Sequence, residues 1–415
     1  MIRIRTRRCY SAPSSCPLLP LFLFFLVAEA AFVVQCSRGR SKKALAFLVP
    51  SSQRSMSTSS IALRHALTNE EDGEESHVIH VITRRTLFRA TAGAGAVSLI
   101  KPASVGAATT TAVLGKAPSS VTLCDPSVST WIKTRDGDAM RMVHILGTAH
   151  ISSASAELAG RMVREIKPSV VFVELDAKRV ARAIPGGVTA NDNKSNSSLT
   201  STPNNPSIIS ERTNKLEDIG SKYVGNAVKG MYSKLESEGF KAGDEFAMAV
   251  KEGLAIGATI VLGDRDVEVT LRRLTKALTK TDIRKLFSSN SEVNSSMESL
   301  LPEGMRSQYE ETGGTKEMYV EKAEFQAFIE TMKAKENVKT IMNGLKQTAP
   351  EVYQAMVAER DAYMGQGLDE LDITLKDNNV KNTVAVMGMA HVDGVEQYLE
   401  SKGWSAVRYP CPVVS

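Results

Sequence analysis

The phrase Leu146-Gly147-Thr148-Ala149-His150 returns near the other end of the chain as Met387-Gly388-Met389-Ala390-His391. Each copy follows a short apolar run that predicts a buried strand, Met142 to Leu146 and Thr383 to Met387. Imidazoles just past the carboxyl ends of strands lie where open α/β folds build their sites. Two neutral imidazoles and a carboxylate form a donor set suited to a divalent Zn, Mn or Co ion, which would turn a bound water into a nucleophile. Without an ion the same groups form a general acid–base pair. The residues alone leave both chemistries open. The carboxylate candidate is Glu174, which closes the apolar run Ser169 to Leu175 (SVVFVEL), where a buried carboxylate is costly unless paired or ligated.

Other polar groups gather at predicted strand ends. Asp264, Arg265 and Asp266 follow the run Ala258 to Leu262, and Asp393 follows the last strand. The fork of Arg265 suits a peptide carboxylate or a developing oxyanion, or an ion pair with Asp264 or Glu174. Asp176 is expected to cap a turn. Glu359, Arg360 and Asp361 form a charge cluster of the kind that usually faces solvent, with Arg360 the best candidate to line a site. His144 falls inside a strand and is read as a core histidine. Gly147 and Gly388 are expected to let the backbone turn off each strand.

These groups need a parallel sheet to bring them together. Arg141 to Leu146, a helix capped by Ser152 or Ser153 and ended at Pro168, and Ser169 to Leu175 form one β-α-β unit. A helix from Ala242 to Gly257, the strand Ala258 to Leu262 and a helix from Val267 to Ala277 form a second. The strand Thr383 to Met387 and a helix Gly394 to Ser401 close the fold. Together these predict an α/β domain over 120–410, with a mostly parallel central sheet flanked by helices and preceded by a disordered N-terminal leader. Residues 185–215, rich in Asn, Ser, Thr and Pro, are expected to be a disordered insertion, and 288–316 a second mobile stretch. Glu317 to Leu345 and Glu351 to Lys376 read as a helical insertion. Cys124 and Cys411 either pair or remain two thiols; spacing does not decide.

Five ordered motifs, LGTAH, VFVELD, VLGDRDVEVTLRR, ERDAYM and GMAH, resemble the TraB/pheromone-shutdown family over about residues 140–400. That family is related to the Tiki metalloproteases and more distantly to ChaN-like and erythromycin-esterase-like proteins. The resemblance implies a mixed or parallel sheet and assigns His150, Glu174 and His391 as metal or catalytic residues. The resulting expectation is a metal-dependent hydrolase acting on a peptide or small molecule. Glu174 or a nearby acid would activate the water, and Arg265 and Arg360 would contact the substrate. A peptide-sequestering module and a metal-free esterase-type hydrolase are the alternatives.

The first 108 residues carry a net charge of +8, so the remainder of this +5 chain is slightly acidic and gives no reason to expect nucleic acid. Residues 1–36 read as a signal peptide, 37–82 as a transit-peptide-like leader, and 83–108 as a twin-arginine-type signal around Arg84 and Arg85. Three signals in series resemble the targeting of thylakoid-lumen proteins in complex plastids; a mitochondrial presequence is the alternative. The mature chain is expected to begin near Ala108, without a membrane span or a terminal anchor.

Overall fold

A computed structural model of the chain describes residues 121–134, 140–177, 179–180, 243–281, 301–312, 318–375 and 380–411, with four short strands at 2–4, 64–66, 79–82 and 113–114. The insertion predicted at 185–215 and most of the leader lie outside the described residues.

The domain opens with two strands, β1 (Val128–Thr134) and β2 (Met140–Thr148). Helix α1 (Ser153–Ile166) leads to β3 (Val170–Val173), and α2 (Asp244–Ile256) leads to β4 (Thr259–Leu262). Then come α3 (Val267–Lys280), α4 (Lys322–Met332) and α5 (Lys335–Thr348). The short α6 (Pro350–Tyr353) runs through a π-helical turn, Gln354–Ala358, into α7 (Glu359–Asp369) and α8 (Leu371–Leu375). Strand β5 (Asn382–Gly388), α9 (Met389–Ser401) and β6 (Ser405–Arg408) complete it.

The six strands lie in the order β4-β3-β5-β2-β1-β6. The first four are mutually parallel, and β1 runs antiparallel to both β2 and β6. The last parallel strand thus inserts between the first two, so the ends of β2, β3 and β5 are neighbours. Gly388 pairs with Thr148 and Val386 with Val173.

Both faces of the sheet are covered, which is why its strands read as unbroken apolar runs. Val384 and Val386 face the layer of α1 and α2, among Leu158, Met162, Phe246 and Val250. Their neighbours Ala385 and Met387 face α7 and α9, among Met364, Leu368, Val395 and Leu399. This alternation follows from the two-residue period of a strand.

Several sequence expectations change. β1 and β6 were not anticipated, because the first mixes polar and apolar residues and the second is four residues long and half-buried. The strand expected to run through Leu175 ends at Val173, leaving Glu174 just past it. Helix α9 begins at Met389 rather than Gly394. A helix at Glu303–Thr312 occupies part of the stretch read as mobile. Cys124 and Cys411 form a disulfide, a cross-link across 287 positions worth about 2–5 kcal/mol. No helix among the described residues is long and apolar enough to cross a membrane.

Candidate functional site

His150 lies in the turn between β2 and α1, and its backbone carbonyl accepts from the Gly243 N–H at 3.0 Å. Ser152, two residues on, caps α1 by accepting from the Ser155 N–H at 3.1 Å. The ring of His150 sits 5.4 Å from that of Phe246, and its Nδ1 is 2.7 Å from Oε1 of Glu245. Burial, opposed by the bond to His150, pushes the Glu245 carboxyl up, and the nearby Glu174 charge adds to this. The second oxygen of Glu245 is buried and has no hydrogen-bond partner.

His391 is fully buried in the first turn of α9. Its Nδ1 is 2.6 Å from Oδ1 of Asp361, supplied by α7. Its Nε2 is 2.8 Å from Nη1 of Arg360 and 3.4 Å from Oε1 of Glu174. A guanidinium only donates, so in this arrangement Nε2 accepts and the ring carries its proton on Nδ1. Burial and Arg360 oppose charging the ring, but Glu174 and Asp361 outweigh them and raise its pKa well above the usual value. Taking up a proton would therefore exchange Arg360 for Glu174 as the partner of Nε2. Burial also raises the Asp361 carboxyl, to about 6, against the pull of His391.

Arg360 ties the strand ends together. Its Nη2 donates to Oε1 of Glu174 and, at 3.0 Å, to Oδ2 of Asp264, while Nε reaches Oδ1 of Asp264 at 3.1 Å. The other oxygen of Glu174 accepts from the Gly388 N–H at 2.7 Å, so this carboxylate sits at the positive end of α9. Asp264 is shared with Arg179, which also bonds Asp176. Burial opposes the Asp264 charge, yet Arg360 and Arg179 hold its carboxyl below the usual range.

The structure thus brings Glu174, His391 and Arg360 into direct contact. Arg265 is turned elsewhere: its guanidinium donates to Thr270, Glu359 and the Ala355 carbonyl, at 2.9, 2.6 and 2.6 Å. It pairs with neither Glu174 nor Asp264 through its side chain. It instead pins the π-helical turn that immediately precedes Arg360 and Asp361, and turns of this kind recur at functional sites. His144 is a core residue, 2.9 Å from the Thr130 hydroxyl, and burial lowers its pKa to about 4. Gly147 lies within β2 and makes no turn; a Cβ there would come within 2.6 Å of the Met389 sulfur, so the glycine serves close approach to α9.

Sequence reasoning missed Glu245 and Arg179 and undervalued Asp361. The signal for two of them was present. Glu245 precedes Phe246 and shares a buried face with Ala249 and Gly253, and Asp361 shares one with Met364 and Leu368. An acid on the apolar stripe of a helix is out of place unless it has a partner.

Residues 130–408 match the sequence profile of the TraB/PrgY/gumN family. The chain belongs to that family. Within the TraB domain, the repeated phrase supplies the two histidine-bearing strand ends described above. The chain is also 26% identical over 262 residues to the uncharacterized protein MJ1365 of Methanocaldococcus jannaschii, which covers 62% of this chain and 53% of that protein. The chain therefore spans about half the length of this relative.

As a holder for a divalent ion, the donor set His150, Glu174 and His391 is supported in one respect and opposed in another. One feature fits: each histidine has Nδ1 bound to a buried carboxylate, the outer-sphere support that metal-ligating imidazoles use. One does not: Arg360 already contacts both His391 Nε2 and Glu174. Among the described residues no three His, Cys, Asp or Glu side chains converge as a metal site.

Proposed function

We propose that this TraB domain is a hydrolase acting on a peptide or another carbonyl substrate at the ends of β2, β3 and β5. The observation that carries this reading is the setting of His391: Nδ1 anchored on buried Asp361 at 2.6 Å, Nε2 between Arg360 and Glu174. A carboxylate-anchored imidazole is a device for taking a proton from water. In this scheme the neutral ring, populated once the pH exceeds its raised pKa, removes that proton through Nε2 as the water oxygen adds to the carbonyl. Glu174 stabilises the resulting imidazolium, and the Arg360 Nη1 donor that the protonated ring releases serves the developing oxyanion. Collapse then returns the proton to the leaving group.

A second reading, favoured by the carboxylate behind each histidine, keeps a Zn, Mn or Co ion held by His150, Glu174 and His391. When bound, such an ion supplies a water of lowered pKa. Arg360 would have to withdraw to admit it, because a guanidinium and a metal ion do not share the same ligands.

A panel of peptides and small esters, assayed by mass spectrometry with and without a strong chelator, tests both. The His391→Gln protein should lose about 10²–10⁴-fold in rate. Chelator-resistant cleavage supports the first reading; chelator-sensitive cleavage with metal content lost in His150→Ala supports the second. Saturable binding of uncleaved peptide would replace both with sequestration, and cleavage undiminished in His391→Gln would overturn the assignment of the site.

We also propose the thylakoid lumen of a plastid as the destination, an address the Cys124–Cys411 disulfide supports because such bonds persist in oxidising compartments. A fluorescent fusion to residues 1–115 should enter plastids, with Arg84→Lys/Arg85→Lys halting it in the stroma. Mitochondrial fluorescence would refute this.

A further inference from the structure

The two ends of the six-strand order are built differently, although a short strand from the preceding segment pairs with each. β6 (SAVR) is half-buried, carries the exposed Arg408 and is followed by Pro410 and the disulfide at Cys411. Charge, proline and a cross-link limit pairing at natural edges, and among the described residues the addition to β6 is two residues long, Val113–Leu114 running parallel to Val407 and Arg408. β4 (TIVL) has none of these. It is apolar, with Ile260, Val261 and Leu262 buried, and carries no charge or proline. Such an edge presents unpaired N–H and C=O groups to any extended chain.

In this structure the edge is taken. Residues Ile79–Ile82 of the leader run antiparallel along it, with His80 opposite Leu262, Val81 opposite Val261 and Ile82 opposite Ile260, and Arg64–Ala66 pairs with them on the outer side. The occupant is Ile-His-Val-Ile, with β-branched residues at three of its four positions. It precedes the twin-arginine-type signal, so processing near Ala108 would remove it and bare β4.

We propose that the β4 edge is a receptor for an extended, β-branched-rich peptide segment, and that leader residues 79–82 fill it until the leader is removed. The affinity comes from ladder hydrogen bonds made by strand addition. The antiparallel register fixes the direction. The amino-terminal side of the bound segment lies at the carboxyl end of β4, beside Asp264, and so would lead toward the Arg360 network. Delivery toward that network rests on the hydrolase reading; occupancy of the edge does not.

Backbone amide exchange on the full chain tests the edge whatever the protein cleaves. In Val81→Pro/Ile82→Pro, two adjacent prolines must remove at least one ladder donor, since alternate residues face the partner strand. The amides of β4 should then exchange about tenfold faster, while those of the central β5 stay protected. A synthetic peptide of residues 74–83, added to this variant, should restore protection of β4 in a saturable way. The same peptide carrying the two prolines should not. Unchanged exchange in the variant overturns occupancy by the leader, and failure of the peptide to restore protection overturns the edge as a receptor.

Discussion

The two copies of the repeated phrase end in the same residue and on neighbouring strands, yet their surroundings differ. His150 stands in a turn, with one carboxylate from α2 and the ring of Phe246 beside it. His391 stands in a helix, with a carboxylate from α7 on one nitrogen and a guanidinium and a second carboxylate near the other. Both rings are anchored through Nδ1; only the second is shown within a network that spans the ends of three strands. The contrast separates holding an imidazole from equipping it. Anchoring needs one buried acid, whereas proton exchange needs alternative partners for the opposite nitrogen.

The largest test removes the cation on the His391 side. Arg360→Met leaves Glu174 and Asp264 buried without their shared partner and should cost about 3–5 kcal/mol in urea unfolding. A loss below about 1 kcal/mol would mean that the network does not set this end apart.

The third histidine of the domain sharpens the comparison, because His144 has a hydroxyl partner but no acid. Its folded pKa of about 4 lies below the ordinary 6.5. The neutral ring is the form that folds, so its contribution is full above pH 6.5 and is lost as pH falls toward 4. The maximum is about 3 kcal/mol. Asp361, raised to about 6, acts in the opposite sense, its protonated form being favoured by folding, so stability falls as pH rises toward 6. The stability difference between His144→Gln and the parent across pH 4–7 therefore isolates His144. A difference that does not vary with pH would place this ring in a wetter setting than its burial implies.

Gly394→Ala probes how α7 and α9 approach each other. A Cβ at Gly394 would collide with the Asp361 carboxylate, pushing it away from His391 at about 1–3 kcal/mol. Unchanged stability, with the His391 ring proton unshifted by NMR, would show that the helices separate at no cost. The smallest effect belongs to the other end. Glu245→Gln keeps a hydrogen-bonding group for His150 while removing a charge that burial disfavours, so thermal unfolding should change by about 1 kcal/mol or less. A loss as large as that of Arg360→Met would erase the asymmetry between the two ends.

The parallel strands and their helices were legible because burial on both faces writes continuous apolar runs such as SVVFVEL and NTVAVMG. Four polar strand ends, at His150, Glu174, Asp264 and His391, were legible for the same reason: each lies within or just past such a run. β1 and β6 were not, since a strand of mixed polarity and a four-residue edge strand carry little periodic signal. Arg265 was misplaced because a side chain at a strand end has several directions open to it. Its role depends on Ala355 of the π-helical turn and Glu359 of α7, some 90 residues later.

The sequence by itself determined the α/β class, the two histidine-bearing strand ends and the identity of Glu174 as a carboxylate in an apolar setting, because these follow from local patterning and solvation cost. The partners were decided only by the tertiary structure. Glu245 with His150, Asp361 and Arg360 with His391, Cys124 with Cys411, and residues 79–82 with β4 all join distant segments. The physical reason is that burying a charge demands a compensating group without specifying where along the chain it lies. Strand order supplied the answer by placing β5 between β2 and β3. That insertion sets the two copies of the repeated phrase on neighbouring strands, with Gly388 opposite Thr148.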